Sequence, residues 1–159
     1  MKTTFKFSRT QSGILCAIAL LVLIAFSLAT CDSGLGGGGG TDSLLNGTWS
    51  DGNETMKFNN GNFENEITGT PSVKGTYTTN GSSLICTPTH YYGKTLIDVG
   101  FRYLNIIQNR WYSMAELRAL GFPEDELANS FSPVTSIYSV SGNTLYITGG
   151  GKTIVYYGR

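Results

Sequence analysis

The chain has 159 residues, 40% of them apolar and 14% charged, with acidic and basic side chains in equal number. Charge this sparse and this balanced forms no basic stripe and argues against nucleic acid as a partner. Once the hydrophobic N-terminal segment is set aside, the remaining length suffices for one domain with one core and is too short for two.

Lys2, Lys6 and Arg9 open the chain with no acidic residue beside them, and Ile14 to Leu28 is then almost entirely apolar. Leu28-Ala29-Thr30-Cys31 closes that run. A basic start, an apolar stretch, small residues and a cleavage point are the layout of a secretory signal peptide, here residues 1–30. A cysteine placed directly after the small residues resembles a bacterial lipobox. That resemblance implies removal of the leader, acylation of Cys31 by chains such as palmitate, and a lipoprotein held at a membrane of the cell envelope. The competing reading is an uncleaved anchor, because Gly13 to Thr30 gives about 18 apolar residues, near the lower limit for a spanning helix. The stretch ends in Ser27, Ala29 and Thr30 rather than in a charged or aromatic stop, which favours cleavage.

Residues 31–43 follow as the lipidated cysteine and a tether. The glycine run Gly36–Gly40 cannot hold a helix or strand, since glycine loses most backbone entropy on ordering. Twelve such residues reach roughly 20 Å, enough to hold a folded domain off a membrane surface. The run lacks the Lys-Ser/Thr ending of a phosphate-binding loop. Loss of the leader removes Lys2, Lys6 and Arg9 and leaves the exported chain slightly acidic. It also removes Cys16, so Cys86 is the one thiol left besides Cys31 and no internal disulfide forms. A lone thiol in an exported protein is normally buried as a small hydrophobe. Catalysis at Cys86 would need a positioned base, and His90, four residues on, is the only histidine; core packing is the preferred role.

From Leu44 onward one theme repeats, a short strand, a glycine turn and another short strand. Asp51-Gly52, Asn60-Gly61, Asn80-Gly81 and Ser141-Gly142-Asn143 are hairpin turn signals, because these residues tolerate positive φ. Met56–Phe58, Phe63–Ile67 and Val73–Tyr77 alternate apolar and polar residues as half-buried strands do, and Thr153–Tyr157 is the last strand-like run. One hairpin occurs twice: residues 77–87 align with residues 138–148, with Tyr77 over Tyr138, Gly81 over Gly142, Leu84 over Leu145 and Thr87 over Thr148. These pairs are expected to make matching core contacts. The pattern predicts a mainly β fold over residues 44–159: a small antiparallel up-and-down barrel of about eight strands, with a helix-containing insertion between two similar hairpins. Closure also hides strand edges that would otherwise template aggregation.

Gly47-Thr48-Trp49 opens the first strand and resembles the Gly-x-Trp motif that begins lipocalin and calycin-type barrels. The likeness covers Leu44 to Arg159 in architecture and is closest to small bacterial lipocalin-like lipoproteins of unassigned function. It implies that Trp49 anchors the closed end of the barrel. It also implies that Arg159, just beyond the last strand, packs over the indole, a cation–ring contact worth about 0.5–2 kcal/mol.

The insertion, residues 88–133, lacks tight turns and holds the clearest helix. Ser113-Met114-Ala115-Glu116 is a capping box, Leu117 and Leu120 share a side with Met114, Gly121 stops the helix, and Phe122 can close on its last turn. Pro123 to Leu127 starts a second turn with acids at its N-terminal end. Aromatics crowd here, among them Tyr91, Tyr103, Trp111 and Tyr112, which as a lid would line the entrance to an apolar cavity. As a plug, the segment would only complete the core, and the small volume of a barrel with short strands favours that version.

Catalysis has little support. Asp98, Glu116, Glu124, Asp125 and Glu126 are scattered or sit at helix starts, and no serine lies in a nucleophile elbow. His90 with Asp98 is too few for a metal site, and no cofactor is implied. The expected function is therefore non-enzymatic: a membrane-anchored envelope lipoprotein with a lipocalin-like barrel that binds a small hydrophobic ligand. The alternative is a protein-interaction module, an inhibitor or adhesin, with a filled barrel and its aromatics turned outward.

Overall fold

The computed structural model describes residues 40–159. Strands β1 (Gly47–Ser50), β2 (Glu54–Asn59), β3 (Asn62–Ile67), β4 (Thr70–Asn80) and β5 (Ser83–Tyr92) come first, behind a 3-10 turn at Ser43–Leu45. Helix α1 (Gly93–Asp98), the short strand β6 (Trp111–Ser113) and helices α2 (Met114–Ala119) and α3 (Glu124–Ser130) form the insertion. Strands β7 (Val134–Ser141), β8 (Thr144–Gly149) and β9 (Lys152–Gly158) complete the fold. Every pairing is antiparallel, and β9 returns to β1, so β1-β2-β3-β4-β5-β7-β8-β9 is a closed eight-stranded barrel with β6 as an extra strand. The mainly β, up-and-down architecture expected from the turn rhythm is the one observed.

The duplicated hairpin is real in register as well as in sequence. Tyr77 faces Cys86 and Asn80 faces Ser83 across β4–β5, while Tyr138 faces Ile147 and Ser141 faces Thr144 across β7–β8. Tyr77, Tyr138, Leu84 and Leu145 are all buried in the barrel core, together with Leu45, Trp49, Phe58 and Phe63. The two tyrosines share a second task. Tyr77 Oη donates to Asn46 Oδ1 at 3.1 Å, and Tyr138 Oη donates to Asp42 Oδ2 at 2.8 Å. Thr79 N–H donates to the Gly40 carbonyl at 2.7 Å, and Gly40 N–H donates back to the Thr79 carbonyl at 3.2 Å. Gly40 to Asn46 is thus pinned across one end of the barrel.

At the opposite end the wall divides. Residues Ser83–Cys86 of β5 pair with β7, whereas His90–Tyr92 pair with β6. Strand β5 runs on through Pro88 because the pairing shifts register there, with Gly75 opposite Pro88 and Lys74 opposite His90. Glycine is required at that shift: a Cβ on residue 75 would stand 2.0 Å from the Thr87 carbonyl oxygen and 2.8 Å from the Phe63 ring.

The insertion packs into its own core of Leu96, Phe101, Tyr112, Leu117, Phe122, Leu127 and neighbours, joined to the barrel core through Tyr91. It therefore sits on the overhanging ends of β4 and β5 and does not fill the barrel; Thr95 Oγ1 ties α1 to the Pro71 carbonyl at 2.9 Å. The capping box forms as expected: Ser113 Oγ accepts from Glu116 N–H, and Glu116 Oε2 accepts from Ser113 N–H at 2.9 Å. Those Ser113 donors, with Arg110 beside them, hold the Glu116 carboxyl down at about 2. Gly121, at φ 85°, ends α2 in a Schellman arrangement, Phe122 N–H reaching the Leu117 carbonyl and Gly121 N–H the Arg118 carbonyl, each at 3.0 Å.

Two substitutions test this frame. Gly75→Ala is expected to destabilise the protein by about 3 kcal/mol in chemical denaturation, as an overpacked backbone contact does; a loss under about 1 kcal/mol would show that β4 and β5 part easily at the shift. Tyr138→Phe is expected to lose about 1.5–3 kcal/mol, the scale of a hydrogen bond to a carboxylate, and to raise amide exchange selectively over Gly40–Asn46. Unchanged exchange in that segment would mean that Asp42 does not depend on Tyr138.

Candidate functional site

The end where the wall divides has an inward-facing polar cluster that alternation on three strands assembles. On β2, Glu54, Met56 and Phe58 face inward; on β3, Phe63 and Asn65 do; on β9, Ile154 and Tyr156 do. Tyr156 Oη donates to Glu54 Oε2 at 2.8 Å, and Asn65 Nδ2 donates to Glu54 Oε1. Asn65 Nδ2 also lies 3.0 Å from Met56 Sδ. Asn65 is 0% exposed, and among the described residues its Oδ1 accepts no hydrogen bond. Burial pushes the Glu54 carboxyl above its ordinary value, outweighing the hydrogen bonds from Tyr156 and Asn65 that pull it down. The Tyr156 phenol is pushed up, first by burial and then by the neighbouring Glu54.

Around this cluster the interior is apolar but not sealed. Cys86, Tyr91, Ile147 and Ile154 pack against the barrel core and yet are only partly buried. Their neighbours explain the exposure: β8 and β9 end at the Gly150-Gly151 turn, which has no side chains to fold over the opening, and β5 has left β7 by this level. Burial pushes the Cys86 thiol up to about 12, so it stays a neutral thiol with no base beside it. Among the described residues, no three His, Cys, Asp or Glu side chains gather into a metal-binding group. Nor is any described helix long and apolar enough to cross a membrane.

The four aromatics expected at the entrance do not converge. Tyr91 alone reaches the barrel core; its Oη donates to the Ser130 carbonyl at 2.6 Å, and its ring meets Phe131 edge-on at 5.2 Å. Tyr112 is buried in the insertion's core, where its Oη accepts from Ile107 N–H at 2.7 Å and the Arg110 guanidinium lies 5.0 Å from its ring. Trp111 is half-buried against Tyr92 at 5.1 Å, with Lys74 Nζ 4.7 Å from its ring. Tyr103 is 57% exposed. The physical reason is the strand period: Trp111 and Tyr112 are consecutive on β6 and so point to opposite faces.

Trp49 is buried at the closed end, its Nε1 donating to the Leu45 carbonyl at 2.8 Å. Arg159 is exposed and meets β1 through its main chain, N–H to the Thr48 carbonyl at 3.0 Å. Closure there is made by backbone pairing and a buried indole, and among the described residues the ring-facing cations are Lys74 and Arg110. A shallow depression of about 470 Å³ also lies on the outer wall near Lys57, Lys74 and His90. Lys57 is already paired with Glu66 and Lys74 with the Trp111 ring, so little charge is left there for a ligand. Cys31 and the leader lie outside the described residues.

Glu54, Asn65 and Tyr156 were not singled out from sequence, although two of them carried a signal. Glu54 occupies the apolar phase of Glu54-Thr55-Met56-Lys57-Phe58, and Asn65 that of Phe63-Glu64-Asn65-Glu66-Ile67. A polar residue in the inward phase of a strand is what marks an interior polar site. This chain matches no known protein family, no curated protein and no solved structure. The lipocalin likeness accordingly stands on the Gly-x-Trp start and the barrel topology.

The buried carboxyl gives a pH test. A carboxyl whose pKa is raised on folding contributes its full stability below the unfolded value, about 4.3, and loses it as pH rises through the folded value. Glu54→Gln removes that loss. Its stability relative to the parent protein is expected to improve as pH rises above about 4 and to level off once the folded carboxyl has ionised. Denaturation curves that stay parallel across that range would show that Glu54 titrates as it does in the unfolded chain.

Proposed function

We propose that this chain is a lipid-anchored envelope protein whose lipocalin-like barrel holds a small, largely apolar ligand at the divided end. One observation carries the reading: inward-facing Ile147 and Ile154 are left partly exposed around a buried polar cluster, where a filled barrel would have covered them. Apolar walls with a few convergent polar groups are the usual make-up of a small-molecule site. The anchoring half of the reading rests on the order of residues before and at Cys31. The interaction-module reading draws its support from elsewhere, from Ile137 and Tyr157, each 59% exposed on the outer wall of β7–β9.

Titration of the full chain with an apolar fluorophore such as N-phenyl-1-naphthylamine tests the ligand half. A saturable rise in emission beyond that of empty micelles is expected, and Ile154→Arg is expected to weaken it by about tenfold or more, since a charge would then line the apolar wall. Absence of saturation, or binding indifferent to residue 154, would leave the interaction module as the better reading. For the anchor, Cys31→Ser is expected to abolish labelling by palmitate. Palmitate labelling that survives the substitution would rule out lipid attachment at Cys31; membrane partitioning alone does not decide it, because an uncleaved leader is long enough to hold the variant in a membrane.

A further inference from the structure

We infer that the ligand of the divided end carries a hydrogen-bond-donating cationic head, a primary amine on an apolar body, and that carboxylate ligands are rejected. The inference rests on the ligand-binding reading above and adds the chemistry of the head group. It follows from which donors and acceptors the cluster has already used. Tyr156 has one O–H, and it is given to Glu54 Oε2. Asn65 has two N–H donors on Nδ2, directed at Glu54 Oε1 and Met56 Sδ. No donor of these three residues remains for a guest.

Acceptors do remain. A carboxylate offers about four lone-pair sites and Glu54 has filled two of them, and Asn65 Oδ1 has filled none of its own. An alkylammonium supplies the compensating charge for Glu54 and three donors, one of which can serve the unpartnered Asn65 oxygen. An alcohol supplies a single donor and no charge. A carboxylate supplies neither, and would bring a second negative charge beside Glu54 into a largely apolar site. The walls set the body of the ligand: Ile147, Ile154 and Cys86 offer apolar contact, and Tyr91 has already donated its hydroxyl to Ser130.

A matched series separates these outcomes: 3-phenylpropylamine, 3-phenylpropan-1-ol and 3-phenylpropanoate, titrated calorimetrically into the full chain with micelle blanks. The amine is expected to bind at least about tenfold more tightly than the acid, with the alcohol between them. In Glu54→Gln the amine is expected to lose its advantage over the alcohol. A readout on the parent protein keeps the inference testable if that variant folds poorly: the Asn65 side-chain amide resonances should shift as the amine saturates. An acid that binds as well as the amine, or an amine that saturates without moving Asn65, overturns the inference and leaves a ligand-binding barrel standing. Failure of all three compounds to bind overturns the ligand-binding reading and this inference with it.

Discussion

Everything in this fold hangs on the seam between its first and last strands. β1 has four residues and must pair on both edges, and its ladder to β9 has two residue pairs, Trp49 with Gly158 and Ser50 with Tyr157. The six strand pairs from β2 to β9 supply far longer ladders, so the ring is as strong as this junction. Side chains make up the deficit. The Trp49 indole is buried beneath the seam and hydrogen-bonded to Leu45, which locks the incoming chain to the first strand. On the β9 side, Asn143 Nδ2 donates to the Gly158 carbonyl at 2.8 Å, and a Cβ at residue 158 would stand 2.1 Å from Asn143 Oδ1. A seam opened there would expose two unpaired strand edges.

A closed ring has an inside, and what the inside contains is a compromise. The end beneath the seam is packed with Trp49, Phe58, Tyr77, Leu84, Tyr138 and Leu145, as stability alone would favour. The other end has a carboxyl, an amide and a phenol in the same inward phase. Leaving the Asn65 oxygen without a partner costs about 1–3 kcal/mol, and removing the Glu54 carboxyl from water adds to that. Leucine at position 65 would avoid the first cost. Places where a fold breaks a local rule with no structural return are where function is expected. Here the broken rule coincides with half-exposed Ile147 and Ile154, so the two departures from a sealed core explain each other.

What the sequence revealed and what it hid divide along physical lines. Turns and capping boxes are local: Asn60-Gly61 takes positive φ at both residues, and Ser113 with Glu116 closes within three residues. Both were legible, as was the duplicated hairpin, because Tyr77 and Tyr138 hold equivalent ladder positions. β6 was not legible, since three residues carry no usable period. α1 was hidden too; its first residue, Gly93, is set by a long-range contact, a Cβ there meeting the Ile107 carbonyl oxygen at 2.0 Å. Aromatic density pointed to the insertion, but density does not say which face a ring takes. Tyr112 and Trp111 turned opposite ways and Tyr103 turned outward, while the cluster with unspent acceptors lay on barrel strands that read as ordinary.

The two ends of the barrel are also set apart by where the chain enters. Gly40 to Asn46 crosses the closed end, where the turns at Asn60-Gly61, Gly81 and Gly142 also lie. The insertion, the Thr68-Gly69 turn and the Gly150-Gly151 turn belong to the divided end. Gly40 meets that end through two main-chain hydrogen bonds to Thr79. The twin tyrosines transmit that restraint to β4 and β7 through Asn46 and Asp42. On the proposed anchoring at Cys31, a tether joined to the closed end would leave the divided end turned to solution, and the proposed ligand would arrive through water. For the cationic guest inferred above, that route would avoid the desolvation that strands a fully apolar chain in lipid, and it would end at a buried carboxyl and an unpaired amide oxygen.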